Sequence, residues 1–248
     1  MTDASKADSF TFLTLIAERM KPITFPALTR PHYPAGMPAT VELVNWGAQL
    51  YCYAWTRHVC TLLNGIVTLA NAGNIPSARI VARSVYELSA HIYYLKKHLK
   101  QHLDAGDVGA AFDFLLPIGT GSRYINEQKP EDSELFPSPP HIAKAIKCFQ
   151  EKLPPYALEN YSYLSEYCHP NLLTFMQYYE WTDPHTATFA DKEPMEGVFG
   201  PTTGAVIQGL MTLNELLWLT KETTVNQAVL QLLETIGEET KKPLPPNA

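Results

Sequence analysis

The sequence lacks the short motifs by which several common enzyme classes are recognised. It contains no Gly-x-Ser-x-Gly elbow, no Gly-x-x-x-x-Gly-Lys-Ser/Thr phosphate loop and no Cys-x-x-Cys pair. These absences argue against an α/β-hydrolase, a P-loop nucleotidase and a zinc ribbon. The stretch "PIGTGS", which begins at Pro117, therefore indicates a kink or turn and not a phosphate cradle.

Cysteine and long apolar runs are also scarce. The four cysteines, Cys52, Cys60, Cys148 and Cys168, lie singly inside apolar helical patterns, which predicts buried thiols in a reducing, cytoplasmic compartment. No uncharged run reaches the roughly 18 residues of a membrane span, so we predict no membrane partner. The first twenty residues begin with acidic side chains and do not resemble a signal peptide.

The sequence also has no excess of positive charge, and almost no segment alternates between apolar and polar residues. A formal net charge of -6 argues against a protein that holds nucleic acid by a general positive field. The basic segment Lys96 to His102 is most simply a solvated helix end, although it is also a candidate contact for an anionic partner. Because almost no segment alternates with period two, the predicted fold class is all-α.

We predict a single helical domain over residues 1–240, built as a bundle of about seven or eight helices with a long central helix. Prolines between Pro22 and Pro38 predict a non-helical strap over residues 21–38. Residues 181–201 form an irregular segment of the kind that serves as a lid or oligomer arm, and residues 241–248 a disordered tail. We expect a homodimer, formed through a helix face or through the irregular segment.

The segment "PSARIVARSVYELSAHIYYL", Pro76 to Leu95, is predicted to belong to the central helix. Apolar residues recur at spacings of three and four, as a helix seam requires: Val81, Val85, Leu88, Ile92, Leu95 and Leu99. Pro76 suits the first turn of such a helix, and the break at Ala105–Gly106 ends it.

The same helix carries Arg79, Arg83, Glu87 and His91 at steps of four, so these side chains follow one slowly drifting stripe. Burial of the helix predicts that at least Arg83 and Glu87 are partly buried, while Arg79 and His91 lie nearer the edge of the stripe. One interpretation is that Arg83 and Glu87 satisfy each other and only stabilise the fold. The other is that they line a polar pocket in which Arg83 binds a phosphate or carboxylate.

The second informative stretch is "YSYLSEYCHPN", Tyr161 to Asn171. Because a residue before proline leaves helical geometry, His169 is expected at or just beyond a helix C-terminus. Ser162, Ser165 and His169 then share one helix face. His169 is either a general acid or base, or a cap on the last carbonyls of that helix.

A metal centre is not predicted. Glu166 and His169 have the Glu-x-x-His spacing of di-iron bundles, but such centres need a second copy of that motif and two further glutamates. Outside this motif Glu215 is the best remaining carboxylate, and no second motif exists. We therefore predict no metal and no cofactor.

Both stretches resemble a family of uncharacterised bacterial helical proteins, which carries Arg-Ser-x-x-Glu with an aromatic patch and then "YSYLSEYCHPN". This resemblance implies that Arg83, Glu87, Ser165 and His169 belong to one site. More distantly, the arrangement is similar to the HEPN superfamily of helical bundles, many of which are dimeric ribonucleases of toxin and phage-defence systems. In that family an arginine and a histidine separated by four to six residues act together at the dimer cleft. This sequence has no arginine at that spacing from His169, so an HEPN-type activity would require Arg83 to supply the arginine from a different helix.

Two functional hypotheses follow. In the first, an anion-binding or catalytic protein uses Arg83 to clamp a phosphate-containing ligand, Glu87 to orient Arg83 and His169 as acid or base; if the protein is catalytic, phosphodiester cleavage of RNA is the expected reaction. Further contacts to the ligand are assigned to Arg79, His91, Ser165 and Asn171. In the second, the chain is a non-enzymatic dimeric interaction protein in which these residues form a buried network.

Overall fold

The computed structural model describes residues 3–34, 37–119, 140–153, 156–166, 168, 179–183, 186–189 and 199–241. These ranges contain eight helices and a two-stranded ribbon. In chain order the helices are α1 (Asp3–Met20), α2 (Val41–Asn71), α3 (Ile75–Asp104), α4 (Val108–Gly119), α5 (Ile142–Phe149), α6 (Ala157–Glu166), α7 (Phe199–Leu219) and α8 (Thr224–Glu239). Strands β1 (Tyr179–Asp183) and β2 (Thr186–Phe189) lie between α6 and α7 in sequence.

The fold is an all-α helical bundle, as predicted. Its centre is α3, which packs against α2, α4, α5, α6 and α7. The predicted seam lies against these neighbours, since Val85, Ile92, Leu95 and Leu99 are fully buried. No helix within the described ranges is long and apolar enough to span a bilayer.

The ends of the two longest helices follow from local sequence. Thr40 caps α2 by accepting a hydrogen bond from the backbone N–H of Leu43, and Asn74 caps α3 in the same way at Ser77. Gly73 and Gly106 have φ values of +74° and +73°, so each supplies the left-handed residue that stops a helix. The predicted break at Ala105–Gly106 is therefore confirmed.

The proline-rich strap crosses the outside of α2 and α4 without helix or strand between residues 23 and 34. The Arg30 guanidinium lies 5.6 Å from the Trp46 ring, and the Tyr33 ring lies 5.9 Å from that of Phe112 in α4. Aromatic contacts thus attach the strap, because a segment rich in proline has few backbone donors to offer.

Two sequence-based expectations differ from the structure. Part of the segment 181–201 is ordered as the antiparallel ribbon of β1 and β2, and α7 already begins at Phe199. Tyr, Trp, Thr and Phe in these short strands favour extended backbone, but the runs are too short for alternation to be recognised. Helix α4 also continues through Pro117 to Gly119, since a proline in the last turn removes only one hydrogen bond.

The start of α8 is held by a buried carboxylate. Glu222 is 7% exposed and accepts hydrogen bonds from the backbone N–H groups of Thr224, Val225 and Asn226 at 3.2, 2.8 and 3.1 Å. These donors have no partner within the helix, and the positive end of the helix dipole favours a carboxylate there. Burial, together with Glu222, raises the pKa of the neighbouring Tyr53.

Helix α7 approaches α2 and α3 closely at Gly209. A Cβ at this position would lie 2.9 Å from Cζ2 of Trp55 and 3.0 Å from Oγ of Ser89. Trp55 cannot retreat easily, because its indole N–H donates a 2.8 Å hydrogen bond to the carbonyl of Leu88. The three helices therefore meet at a point where only hydrogen fits.

We predict that Gly209→Ala lowers the free energy of unfolding by about 1 to 3 kcal/mol, because the new methyl group must displace Trp55 or Ser89. The matched control is Gly204→Ala in the same helix, where no atom lies within 4 Å of the added carbon. That change should stabilise by roughly 0.5 to 1 kcal/mol through helix propensity. Chemical denaturation measures both, and equal effects of the two variants would contradict the packing argument.

Candidate functional site

Arg83, Glu87 and Tyr161 form a closed triangle of hydrogen bonds between α3 and α6. Nε of Arg83 donates to Oε1 of Glu87 at 3.0 Å, and Nη2 of Arg83 donates to the Tyr161 hydroxyl at 3.2 Å. The same hydroxyl donates to Oε1 of Glu87 at 3.1 Å. Cζ of Arg83 also lies 5.4 Å from the centre of the Tyr161 ring. The guanidinium is thus held in both position and plane.

The triangle is partly open to solvent. The side chains of Arg83 and Glu87 are 25% and 29% exposed, which confirms the predicted partial burial. Such a pair is neither sealed in the core nor free on the surface. Of the five N–H donors of an arginine, the triangle uses two and Cys168 also engages the guanidinium, so only the remaining donors are open to a ligand.

Arg83 remains positively charged. Burial acts to lower its pKa, but hydrogen bonds with Tyr161 and Cys168 and the negative charge of Glu87 outweigh burial and raise the pKa above its ordinary value. The guanidinium therefore stays protonated at every accessible pH, and any role it has is that of a fixed cation.

Arg79 lies deeper than the sequence indicated. It is 0% exposed, although its place near the edge of the stripe predicted a more accessible side chain. On α3 it lies in line with Ala82, Tyr86 and Ala90, all of which are fully buried. The neighbours of α3 cover more of its circumference than the apolar seam alone would require.

The face of α6 that meets α3 includes Tyr161 and not the predicted Ser162. Ser162 is exposed, whereas Tyr161 reaches Arg83 and the Oγ atom of Ser165 is buried with no hydrogen-bond partner within the described chain. Cys168 lies beyond the end of α6, where its thiol donates to the carbonyl of Leu164 at 3.3 Å. The face therefore runs through positions 161, 165 and 168.

Tyr161 and Cys168 are the site residues that sequence reasoning missed. Both stand within "YSYLSEYCHPN", where the serines and the histidine carry the more familiar catalytic chemistry. The spacing of Tyr161, Ser165 and Cys168 is four and three, which was the available signal for a shared helix face.

His169 and Asn171 lie outside the described residues. The predicted meeting of His169 with Arg83 therefore stays a prediction, as does the assignment of Asn171 to a ligand. The structure brings together Arg83 and Glu87 from the predicted set and places Ser165 one turn along α6 from Tyr161.

His91 is half-buried one turn after Glu87 on α3. Burial lowers its pKa, against an opposing effect of the Glu87 carboxylate. His98, further along the helix, lies 4.5 Å from the Tyr94 ring and 5.2 Å from that of Phe114. Its pKa is also lowered by burial, with contributions from Lys97 and His102. Both imidazoles are therefore held in their neutral forms near neutral pH.

The basic end of α3 is compensated by carboxylates. Lys96 pairs with Glu215, Lys97 pairs with Glu151 at 2.5 Å, and Lys100 pairs with Asp104 at 2.5 Å. Glu215, the carboxylate considered as a metal ligand, is thus engaged with a lysine. This arrangement is the solvated, paired face that charge clusters usually form.

The described residues contain no group of three His, Cys, Asp or Glu side chains arranged to hold a metal ion. Their cysteines are free: Cys52, Cys60 and Cys148 are buried and Cys168 is half-buried. Burial raises the pKa of the first three thiols, which makes them poor nucleophiles.

No family model, curated protein or solved structure matches this chain. The resemblance to the HEPN superfamily therefore rests on the sequence alone.

We predict that Tyr161→Phe lowers the free energy of unfolding by about 1 kcal/mol, because it removes the hydroxyl that bonds to both Arg83 and Glu87. The matched control is Tyr156→Phe, since that side chain is 59% exposed. In a double-mutant cycle, Tyr161→Phe and Glu87→Gln should be non-additive in urea denaturation. Additive effects would contradict the triangle.

We also predict an acid-sensitive component of stability. Because the folded chain holds His91 and His98 at lowered pKa, the unfolded chain takes up protons first as pH falls through about 6.5. Stability from these neutral imidazoles is therefore present above that pH and is lost below it. His91→Gln should reduce the loss measured by denaturation between pH 7.5 and pH 5, and a loss equal to that of the parent chain would contradict the assignment to His91.

Proposed function

We propose that the interface of α3 and α6 binds a phosphate-bearing ligand, with Arg83 as the anion contact. The observation that supports this most is that Arg83 is fixed by Glu87 and Tyr161 and yet remains 25% exposed. A guanidinium whose plane is already set loses little further entropy when it forms a two-bond contact with phosphate oxygens. Glu87 and Tyr161 are positioning residues in this proposal.

RNA is the ligand class that we propose, through the resemblance to the HEPN superfamily. His169 is the proposed acid or base, and Arg83 would stabilise the charge that develops on the phosphate during cleavage. The proposal includes a homodimer, as in that superfamily, and a cytoplasmic location in which free thiols persist.

A second candidate is a non-enzymatic interaction protein in which the triangle only stabilises the fold. The observation that favours it is that Arg83, Glu87 and Tyr161 already satisfy one another. In that case the three side chains attach α6 to α3, and water satisfies the donors of Arg83 that the triangle does not use, since the side chain is 25% exposed.

The two candidates are separated by binding and stability measured on the same variants. We predict that the full chain binds a short fluorescein-labelled oligoribonucleotide in fluorescence anisotropy, and that Arg83→Gln weakens binding at least tenfold. Arg30→Gln, at an exposed arginine outside the site, should leave the affinity unchanged. Arg83→Lys keeps the charge without the planar fork and should fall between the parent and Arg83→Gln.

An unchanged affinity in a folded Arg83→Gln chain would refute the proposal. No binding by the parent chain, together with destabilisation of Arg83→Gln in urea, would leave the triangle structural. Cleavage is then followed on a gel, where His169→Ala should abolish product formation while the oligoribonucleotide still binds.

A further inference from the structure

A groove on the surface of α2 and α3 is separate from the Arg83 triangle. It encloses about 540 Å³ and is lined along α2 from Tyr51 to Thr61, with Leu88 contributed by α3. None of Arg83, Glu87 and Tyr161 lines it. A volume of this size falls within the range of small-molecule sites. The ten-residue step along α2 corresponds to a length of about 15 Å.

The lining of the groove is mostly carbon surface, which includes Tyr51, Ala54 and Trp55 of α2 and Leu88 of α3. Three exposed residues with polar groups, Arg57, His58 and Thr61, belong to its second half. No carboxylate is among the lining residues, although the chain as a whole is acidic. Such a surface suits a molecule with an apolar body and an acidic head.

The apolar half is preformed. Trp55 is 2% exposed, and its indole N–H is engaged with the carbonyl of Leu88 at 2.8 Å. The ring is also blocked on another side by Gly209 of α7. Because its only donor is used, the small part of Trp55 that reaches the groove is carbon surface, and the more accessible apolar lining comes from Tyr51, Ala54 and Leu88. An apolar chain therefore meets a wall that need not rearrange.

The cationic end is not neutralised by a carboxylate. The Arg57 guanidinium lies 5.9 Å from the centre of the Phe25 ring of the strap. Within the described residues no carboxylate forms an ion pair with Arg57, in contrast to Lys96, Lys97 and Lys100. The Thr61 hydroxyl donates to the Arg57 carbonyl at 3.0 Å, and its oxygen can still accept.

We propose that this groove binds a monomeric linear amphiphile with a carboxylate head, of the fatty-acid type. The chain lies against Tyr51, Ala54, Trp55 and Leu88, and the carboxylate meets Arg57 and His58. Charge complementarity selects the head, and burial of the chain supplies the main driving force. The proposal is independent of ligand binding at Arg83, because the two places share no residue.

The first experiment tests the location of binding. Decanoate, held below its micelle concentration, is titrated into the full chain by isothermal calorimetry, and saturable one-to-one binding is expected. Ala54→Trp fills the apolar half at an exposed position and should weaken binding at least tenfold. Ala143→Trp makes the same change at an exposed alanine of α5 and should leave binding as in the parent chain. Equal affinities of the two variants would overturn the proposal, as would absence of binding by the parent.

The second experiment tests the head group. Decanol, which has the same chain without charge, should bind the parent at least tenfold more weakly than decanoate. Arg57→Gln should bring decanoate to the affinity of decanol while leaving decanol itself unchanged. Equal binding of decanoate and decanol by the parent would overturn the assignment of the cationic end. Binding to phosphatidylglycerol vesicles without binding of dissolved decanoate would show that a lipid surface, not a free acid, occupies the groove.

Discussion

The structure depends on the burial of α3 against the helices around it. On a helix enclosed in this way each polar side chain needs partners, since an unsatisfied buried donor costs on the order of 1 to 3 kcal/mol. Ser89 meets this demand within its own helix by donating to the carbonyl of Val85 at 3.0 Å. Tyr86 meets it across the fold by donating to the carbonyl of Ala157 at 2.9 Å. Arg83 and Glu87 meet it together with Tyr161.

Two successive turns of α3 thus hold two successive turns of α6 through polar contacts. The apolar attachment of α6 is small, because Ala157 and Leu164 are its buried residues. A short helix with so little apolar burial depends on hydrogen bonds more than the long helices do. Arg83 would therefore serve both ligand binding and the attachment of α6 to α3. A substitution of Arg83 changes both properties. For this reason binding and stability have to be measured on the same protein.

Local sequence determined what could be predicted. The place of Pro76 in the first turn of α3, the break at Ala105–Gly106 and the pairing of Arg83 with Glu87 all involve residues within a few positions of each other. Tyr161 stands 78 positions from Arg83, and no local pattern states which helix will pack there. The full burial of Arg79 has the same origin, since it depends on how far neighbouring helices extend around α3. The ribbon of β1 and β2 was missed because its strands are shorter than the window in which alternation is visible.

Glu87 also decides what kind of anion Arg83 is able to bind. It stands one turn away on the same rigid helix, so an incoming anion cannot displace it and must share the guanidinium with it. The attraction at long range is therefore weak, because the charges of Arg83 and Glu87 largely cancel beyond a few ångströms. What remains is the outer edge of the guanidinium, with N–H donors in a fixed plane. Such a contact discriminates by geometry: it favours an anion with two oxygens at the right spacing, such as a phosphate ester, over a spherical ion of the same charge.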